Sequence, residues 1–166
     1  MAHSSSELIE QYSPELSRLC SSLCSRRQDA EDLFQTTWEK VLRNLKKYDE
    51  SKPFDKWLWR ICINAHKDMM KNPFRKRRAS FRNEEEQELF LSSLCEKDEK
   101  RDEYISLHKA ISRLDIKSRQ VISLYYFKDF STKELSELLD IPEGTVKSRL
   151  FKAREEIRKE LQNSET

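Results

Sequence analysis

The sequence predicts an all-α protein built as two small helical domains joined by an acidic linker. Three observations carry that expectation. Among 166 residues there are one glycine and four prolines, too few for the tight turns of a β-rich chain, while Leu, Glu, Lys, Arg and Ser abound. Apolar residues recur every three or four positions, which is the helical period. Charge is also segregated: residues 1–53 carry a net −1, residues 54–82 a net +7, residues 83–103 a net −6 and residues 104–166 a net +2. The whole chain sums to only +2, so the total says little about partners, whereas a basic block followed by an acidic one marks a change of task along the chain. A chain of this length makes one domain or two small ones, each with a modest core.

The first helix is read over residues 7–24, where Leu8, Ile9, Tyr12, Leu16, Leu19, Cys20 and Leu23 recur at helical spacing. After the polar break SRRQD, Asp29 stands where an N-cap is wanted, before AEDLFQTTWEKVLRNLKKY with Leu33, Phe34, Val41, Leu42 and Leu45 on its apolar side. Pro53 opens a third helix, PFDKWLWRICINAHKDMMKN. Leu58, Ile61, Cys62, Ala65 and Met69 mark its buried stripe, and Asn72-Pro73 ends it. These helices make an expected first domain, residues 5–82. Residues 83–103 are the acidic linker, in which Leu89, Phe90, Leu91 and Leu94 suit a short docking helix.

The second domain, residues 104–163, begins with YISLHKAISRL and KSRQVISLYYF. Ser131 with Glu134 three residues on has the spacing of a capping box, and Leu135, Leu138 and Leu139 form the buried side of the helix it opens. Asp140-Ile141-Pro142 turns the chain. The last helix then buries Val146, Leu150, Ala153, Ile157 and Leu161. Two short helices joined by a tight turn, the second basic on its free face, describe a helix-turn-helix. Removing the buried side leaves Lys147, Ser148, Phe151, Lys152 and Glu155 on one open face, with Arg149 and Arg154 at its edges. Gly144, the only glycine, falls in the first turn of this helix, where a missing side chain allows close approach of a duplex or of the preceding helix. A solvated basic helix with a packing glycine fits the pattern as well.

Several function classes are not expected. No segment has the apolar core of a signal peptide or the ~20 apolar residues of a membrane span, so the expectation is a cytoplasmic protein without direct membrane insertion. The four cysteines agree: Cys20 and Cys24 share a helix face, which suits burial better than a disulfide, and Cys62 with His66 lacks a second ligand pair at zinc spacing. There is no Gly-rich phosphate loop, and His3 and His108 stand apart from catalytic partners. Neither enzymatic activity, a small-molecule substrate, a cofactor nor a metal is expected.

Three stretches in order, DAEDLFQTTWEKVLRNL, FDKWLWRICIN and IPEGTVKSRLFKAREEI, make the chain similar to the extracytoplasmic-function group of bacterial RNA polymerase sigma factors. The resemblance covers roughly residues 10–75 and 104–161. It implies a protein that binds core RNA polymerase, directs it to promoter −10 and −35 elements and helps open the DNA, commonly under control of an anti-sigma protein. Asp32, Leu33, Phe34, Gln35 and Trp38 match the segment that grips the coiled-coil clamp of the polymerase. Trp38 beside Asp32, Gln35 and Glu39 has the mixed character of a partner-binding face. Asn64 matches a position that helps read a flipped −10 base, and the stretch from Tyr48 through Lys52 to Pro53 matches the loop shaping that base's pocket. Lys56, Arg60, Lys67 and Lys71 supply charge to hold a strand, with Arg75, Lys76, Arg77 and Arg78 beyond them. Trp57 and Trp59 face different ways, so at least one belongs to the core; Trp57 matches a structural position, and Trp59 is the candidate for nucleic acid.

The resemblance also aligns residues 132–151 with the helix-turn-helix that reads the −35 element. Lys147, Ser148 and Lys152 are the candidates for base-edge contact and Phe151 for apolar contact, with Thr145, Arg149 and Arg154 as phosphate anchors. Lys147 and Lys152 stand where relatives often carry Arg, exchanging a bidentate fork for a point charge. LDIKSRQV lacks a proline common at that turn, and KDFSTKEL lacks the usual glycine.

Overall fold

The computed structural model describes residues 4–78 and 101–164, which fall into two compact helical units, one on each side of the intervening stretch. Most of the acidic linker, with the proposed docking helix around Leu89–Leu94, lies outside the described residues.

In the first unit, α1 (Ser5–Leu23) starts at a capping box: the Ser4 hydroxyl accepts from the Glu7 amide, and the Glu7 carboxylate accepts from the Ser4 amide. It buries Leu8, Leu16, Leu19, Cys20 and Leu23, as the periodicity requires. Helix α2 (Arg27–Asn44) begins three residues earlier than expected, with Arg26 rather than Asp29 at the cap. Asp29 sits inside the first turn and is only 2 % exposed. Its carboxylate lies 3.6 Å from Arg75, which explains why an acid is tolerated there. A single 3₁₀ turn, Leu45–Lys47, ends α2, and Pro53 is the cap residue of α3 (Phe54–Met70). The three helices share one core of Leu16, Leu19, Leu33, Val41, Leu58, Trp59, Cys62 and Ile63. Cys62 and His66 are both fully buried, and the Cys62 sulfur faces that of Cys20 across 3.9 Å.

Asn72-Pro73 does end α3, but a further helix follows at once, α4 (Pro73–Arg78), which the sequence pattern does not mark. Pro73 suits a first helical position, and the Asn72 carboxamide oxygen accepts from the Phe74 amide. Arg75 carries this helix back onto α2, reaching Asp29 and, at 3.3 Å, Asp32.

The second unit contains α5 (Arg101–Ser112), α6 (Ile116–Ile122), a π-helical run Ser123–Phe127, α7 (Thr132–Leu139) and α8 (Glu143–Ser164). Its core gathers Ile105, Ile111, Leu114, Val121, Leu124, Phe130, Leu135, Val146, Leu150 and Ala153. Ile157 and Leu161 are only half-buried. Two polar residues also belong to this interior. Arg119 donates to the carbonyls of Ser112 at 2.9 Å and Leu114 at 3.1 Å, closing the α5–α6 turn. His108 lies between the rings of Tyr104 and Phe127, which gives it a packing role. Asp115 caps α6, accepting from the Ser118 amide at 2.7 Å. Ser131 and Glu134 form the expected capping box on α7. Two described residues adopt left-handed backbone, Asp129 at φ 58° and Asp140 at φ 54°, and both are aspartates, among the non-glycine residues best able to do so. Asp129 thus makes without glycine the bend that precedes the helix-turn-helix.

Candidate nucleic-acid interface

Helix α8 presents its basic face outward because its apolar face is consumed by α5, α6 and α7. Lys147, Ser148, Phe151, Lys152 and Arg154 are exposed, while Thr145 and Arg149 are half-buried. Phe151 is 67 % exposed between Lys147 and Lys152, an apolar ring held in water by a rigid helix. The face is braced by acids. Glu143 accepts from the Thr132 hydroxyl at 2.7 Å and lies 3.9 Å from the Lys147 ammonium, tying the start of α7 to the start of α8. The Lys152 ammonium lies 3.3 Å from Asp115 and 3.9 Å from Glu156. Partial burial pushes the Asp115 carboxyl up, but the Ser118 amide and Lys152 outweigh it and hold the group below its ordinary value. Arg154 is held by aromatics: its guanidinium lies over Tyr125 and Tyr126, 5.7 and 5.3 Å from the ring centres, and its Nε donates to the Tyr126 hydroxyl. The π-helical run thus positions a residue that sequence reasoning treated as an independent phosphate anchor.

Gly144 answers differently from one expectation. A Cβ there would meet no atom within 4 Å, so close packing against the preceding helix is not its reason. Its carbonyl accepts from the Ser148 hydroxyl at 2.9 Å, which gives that side chain a local bond back along the helix.

On α3, burial of Leu58, Trp59, Cys62, Ile63, Ala65 and His66 leaves Trp57, Arg60, Asn64, Lys67 and Lys71 on one stripe, at spacings of three, four, three and four. Asn64 is exposed at its middle, and Lys56 lies half-buried at the N-terminal end. The two tryptophans are the reverse of the expectation. Trp59 is 2 % exposed and belongs to the core, whereas Trp57 is half-buried at the surface. Two residues on a helix point about 200° apart, and the flanking Leu58 and Cys62 put the buried direction nearer Trp59. Trp57 packs on Tyr48 at 4.8 Å and Phe54 at 5.6 Å, with Tyr12 beyond at 5.0 Å from Phe54. Burial and the nearby acids raise the Tyr48 phenol above its ordinary value, and its hydroxyl donates to the Lys52 carbonyl. Asp49 accepts from the amide and hydroxyl of Ser51, at 3.0 and 2.7 Å, so residues 48–53 form a built loop. Lys52 itself is exposed on it. One acid interrupts the basic stripe: Asp68 lies 3.4 Å from Lys71 and 3.5 Å from Lys40. The hydrogen bond from Lys71 is the main cause holding its carboxyl below the usual value.

The α2 segment divides. Leu33 is fully buried and Trp38 is 6 % exposed, so these two pack the core and do not present a partner-binding face. Phe34 and Asp32 are half-buried, Asp32 partly engaged by Arg75. Gln35 is exposed, and Leu42, read from sequence as apolar core, is exposed too. The accessible side is therefore Glu31, Gln35, Glu39 and Leu42, with Phe34 at its edge. Arg75, counted among the strand-holding cations, instead faces the two aspartates of α2.

No helix among the described residues is long and apolar enough to cross a membrane. Residues 8–79 match the family model for Sigma-70 region 2, and residues 104–157 match that for Sigma-70, region 4. The chain is 28 % identical over 165 residues to the ECF RNA polymerase sigma factor SigW of Bacillus subtilis, an alignment covering 95 % of this chain and 88 % of that protein. It is 30 % identical over 163 residues to the RNA polymerase sigma-H factor of Pseudomonas aeruginosa, covering 93 % and 84 %. Among solved structures, the fold is similar to the sigma factor RpoE of Bartonella quintana in complex with the anti-sigma factor NepR. That match has a TM-score of 0.74 and 22 % identity, and covers 95 % of this chain and 96 % of that one. CnrH in complex with the cytosolic domain of CnrY gives a TM-score of 0.63, also at 22 % identity, covering 98 % and 89 %. With both domains matched in order, the chain belongs to the extracytoplasmic-function group of sigma factors, the subunits that direct RNA polymerase to specific promoters and so initiate transcription.

Proposed function

We propose that the two units read two promoter elements separately, residues 5–82 the −10 region and residues 104–163 the −35 region, with the acidic stretch 83–103 as their tether. The observation that carries this reading is the open face of α8, where Phe151 stands exposed between two lysines on a helix whose opposite side buries Val146, Leu150 and Ala153. An exposed aromatic flanked by cations matches what a major groove offers, thymine methyls and base-edge acceptors between rows of phosphate. Lys147, Ser148 and Lys152 meet base edges there, Phe151 meets a methyl group, and Thr145, Arg149 and Arg154 anchor phosphates.

At the −10 element, Asn64 hydrogen-bonds an extruded base, and the loop from Tyr48 through Lys52 forms the pocket wall. Unstacking a base costs a few kcal/mol, which stacking and edge hydrogen bonds recover. The aromatic cluster of Tyr48, Phe54 and Trp57 supports that loop in advance, so little ordering is left for the binding step. Lys56, Arg60, Lys67 and Lys71 hold the separated strand. Core polymerase is engaged by Asp32, Phe34 and Gln35, with Leu33 and Trp38 fixing the helix from within. The chain itself performs no chemistry, which belongs to the polymerase. Because the sigma factor RpoE, of similar fold, is described in complex with the anti-sigma factor NepR, an anti-sigma protein is the proposed inhibitor of this chain as well.

The test separates polymerase binding from promoter reading. Core polymerase mixed with the chain in the absence of DNA should form a stable complex. Gln35→Ala combined with Phe34→Ala should weaken it, and Lys147→Ala with Lys152→Ala should leave it intact while abolishing −35 preference. A chain that binds promoter DNA alone and ignores core polymerase would point instead to an independent helix-turn-helix regulator.

A further inference from the structure

Lysine at position 152 poses a problem of direction. An arginine fork is planar and pre-set, whereas a lysine ammonium is a point charge on a flexible four-carbon stem, with three donors free to rotate. Something must aim it if it is to discriminate between base edges. The structure offers one candidate. Asp115 uses one carboxylate oxygen to cap α6, accepting from the Ser118 amide at 2.7 Å, and this bond fixes the carboxylate plane. Its other oxygen lies 3.3 Å from the Lys152 ammonium, across 37 residues of sequence. A side chain anchored to a helix terminus thereby holds a side chain on the recognition face.

We propose that Asp115 is a positioning residue for −35 recognition: by holding one donor of Lys152 it directs the others toward a base edge, giving lysine part of the orientation that a guanidinium fork has intrinsically. This rests on the reading of Lys152 as a base-edge contact. Pre-ordering the stem lowers the ordering cost when DNA arrives, and it penalises bases whose acceptors lie elsewhere. Glu156, 3.9 Å from the same ammonium on its own helix, is a looser and weaker partner. The Asp115 charge also stands beside a surface meant for phosphate, so its removal should raise affinity for every sequence alike while reducing discrimination.

Asp115→Asn isolates the effect, because asparagine caps helices as well as aspartate but carries no charge. Holoenzyme reconstituted from core polymerase and the full chain is assayed by transcription from a promoter library randomised across the −35 element, at two salt concentrations. Lys152→Ala is expected to flatten preference at one base position by about tenfold, within the range of a single base contact. Asp115→Asn should flatten the same position by about threefold, raise output from poor sequences, and add no further flattening in the double variant. Asp115→Asn gives up the charge but keeps the cap, so where circular dichroism shows the fold retained at the assay temperature a purely structural role predicts no change in preference. If Lys152→Ala flattens a position and Asp115→Asn leaves it unchanged or sharper, the positioning role is overturned and the base contact stands. If Lys152→Ala changes no position, the base-contact reading fails and the positioning role with it.

Discussion

Gly144 occupies the first turn of α8 with open space where its Cβ would be, and its backbone is not in the left-handed region. Nothing inside the chain therefore requires glycine. Gly144→Ala should stabilise the second domain by roughly 0.5–1 kcal/mol, read from chemical denaturation, because alanine loses less entropy in a helix. If close approach of DNA is the reason for glycine, the same variant should weaken −35 binding in the holoenzyme. Arg75 makes the opposite kind of case. It faces an aspartate that is 2 % exposed, so Arg75→Ala should destabilise the first domain by about 2 kcal/mol in urea unfolding, by weakening what compensates that burial. The sequence could not announce this pair, since an acid near a helix start and an arginine in a basic run each have a commoner local explanation. The tryptophans were ambiguous for a related reason. Trp38, Trp57 and Trp59 all border apolar stripes, and which edge is covered depends on neighbouring helices that periodicity does not locate.

Helix positions and their buried faces were legible at the scale of the element. Leu16, Leu19 and Leu23 on α1, Leu58, Cys62 and Ala65 on α3, and Val146, Leu150 and Ala153 on α8 are core, as their spacing requires. The Ser131–Glu134 capping box was legible because its signature is local. What escaped was structure made by bonds between distant residues. Helix α4 was not marked because six residues hold no periodicity, and the left-handed bend at Asp129 carries no glycine to mark it. The α6 cap gives a pH prediction. The Asp115 carboxyl is held below its ordinary value of 3.8, so its ionised form stabilises the folded state above that pH, and this contribution is lost as pH falls through the lowered value. Asp115→Ala should cost about 1 kcal/mol near neutral pH. The gap between the two melting temperatures should narrow below pH 3.8, and a gap constant from pH 7 to pH 3 would remove the charged cap from the account.

For the whole molecule, the charge segregation marks the division into two helical units, and three ordered motifs mark the family. The exposed side of α8 and the Asn64 stripe of α3 then followed from which positions the core consumed. The accessible part of α2 did not follow, because Leu33 and Trp38 are core while Gln35 and Leu42 face outward. On the proposed reading, each unit offers only a few specific contacts and binds DNA weakly alone. Tethered to one polymerase, the two would act at high effective concentration on paired elements, since about 20 residues of extended chain can span up to roughly 70 Å. The most direct measurement is transcription in vitro from genomic fragments by core polymerase, with and without this chain, followed by mapping of the start sites. Starts that appear only with the chain should share two sequence elements at constant spacing, and the upstream element should lose its preference when Lys147 and Lys152 become alanine. Transcripts unchanged by the chain, or chain-dependent starts with no common upstream element, would contradict the two-domain reading of promoters.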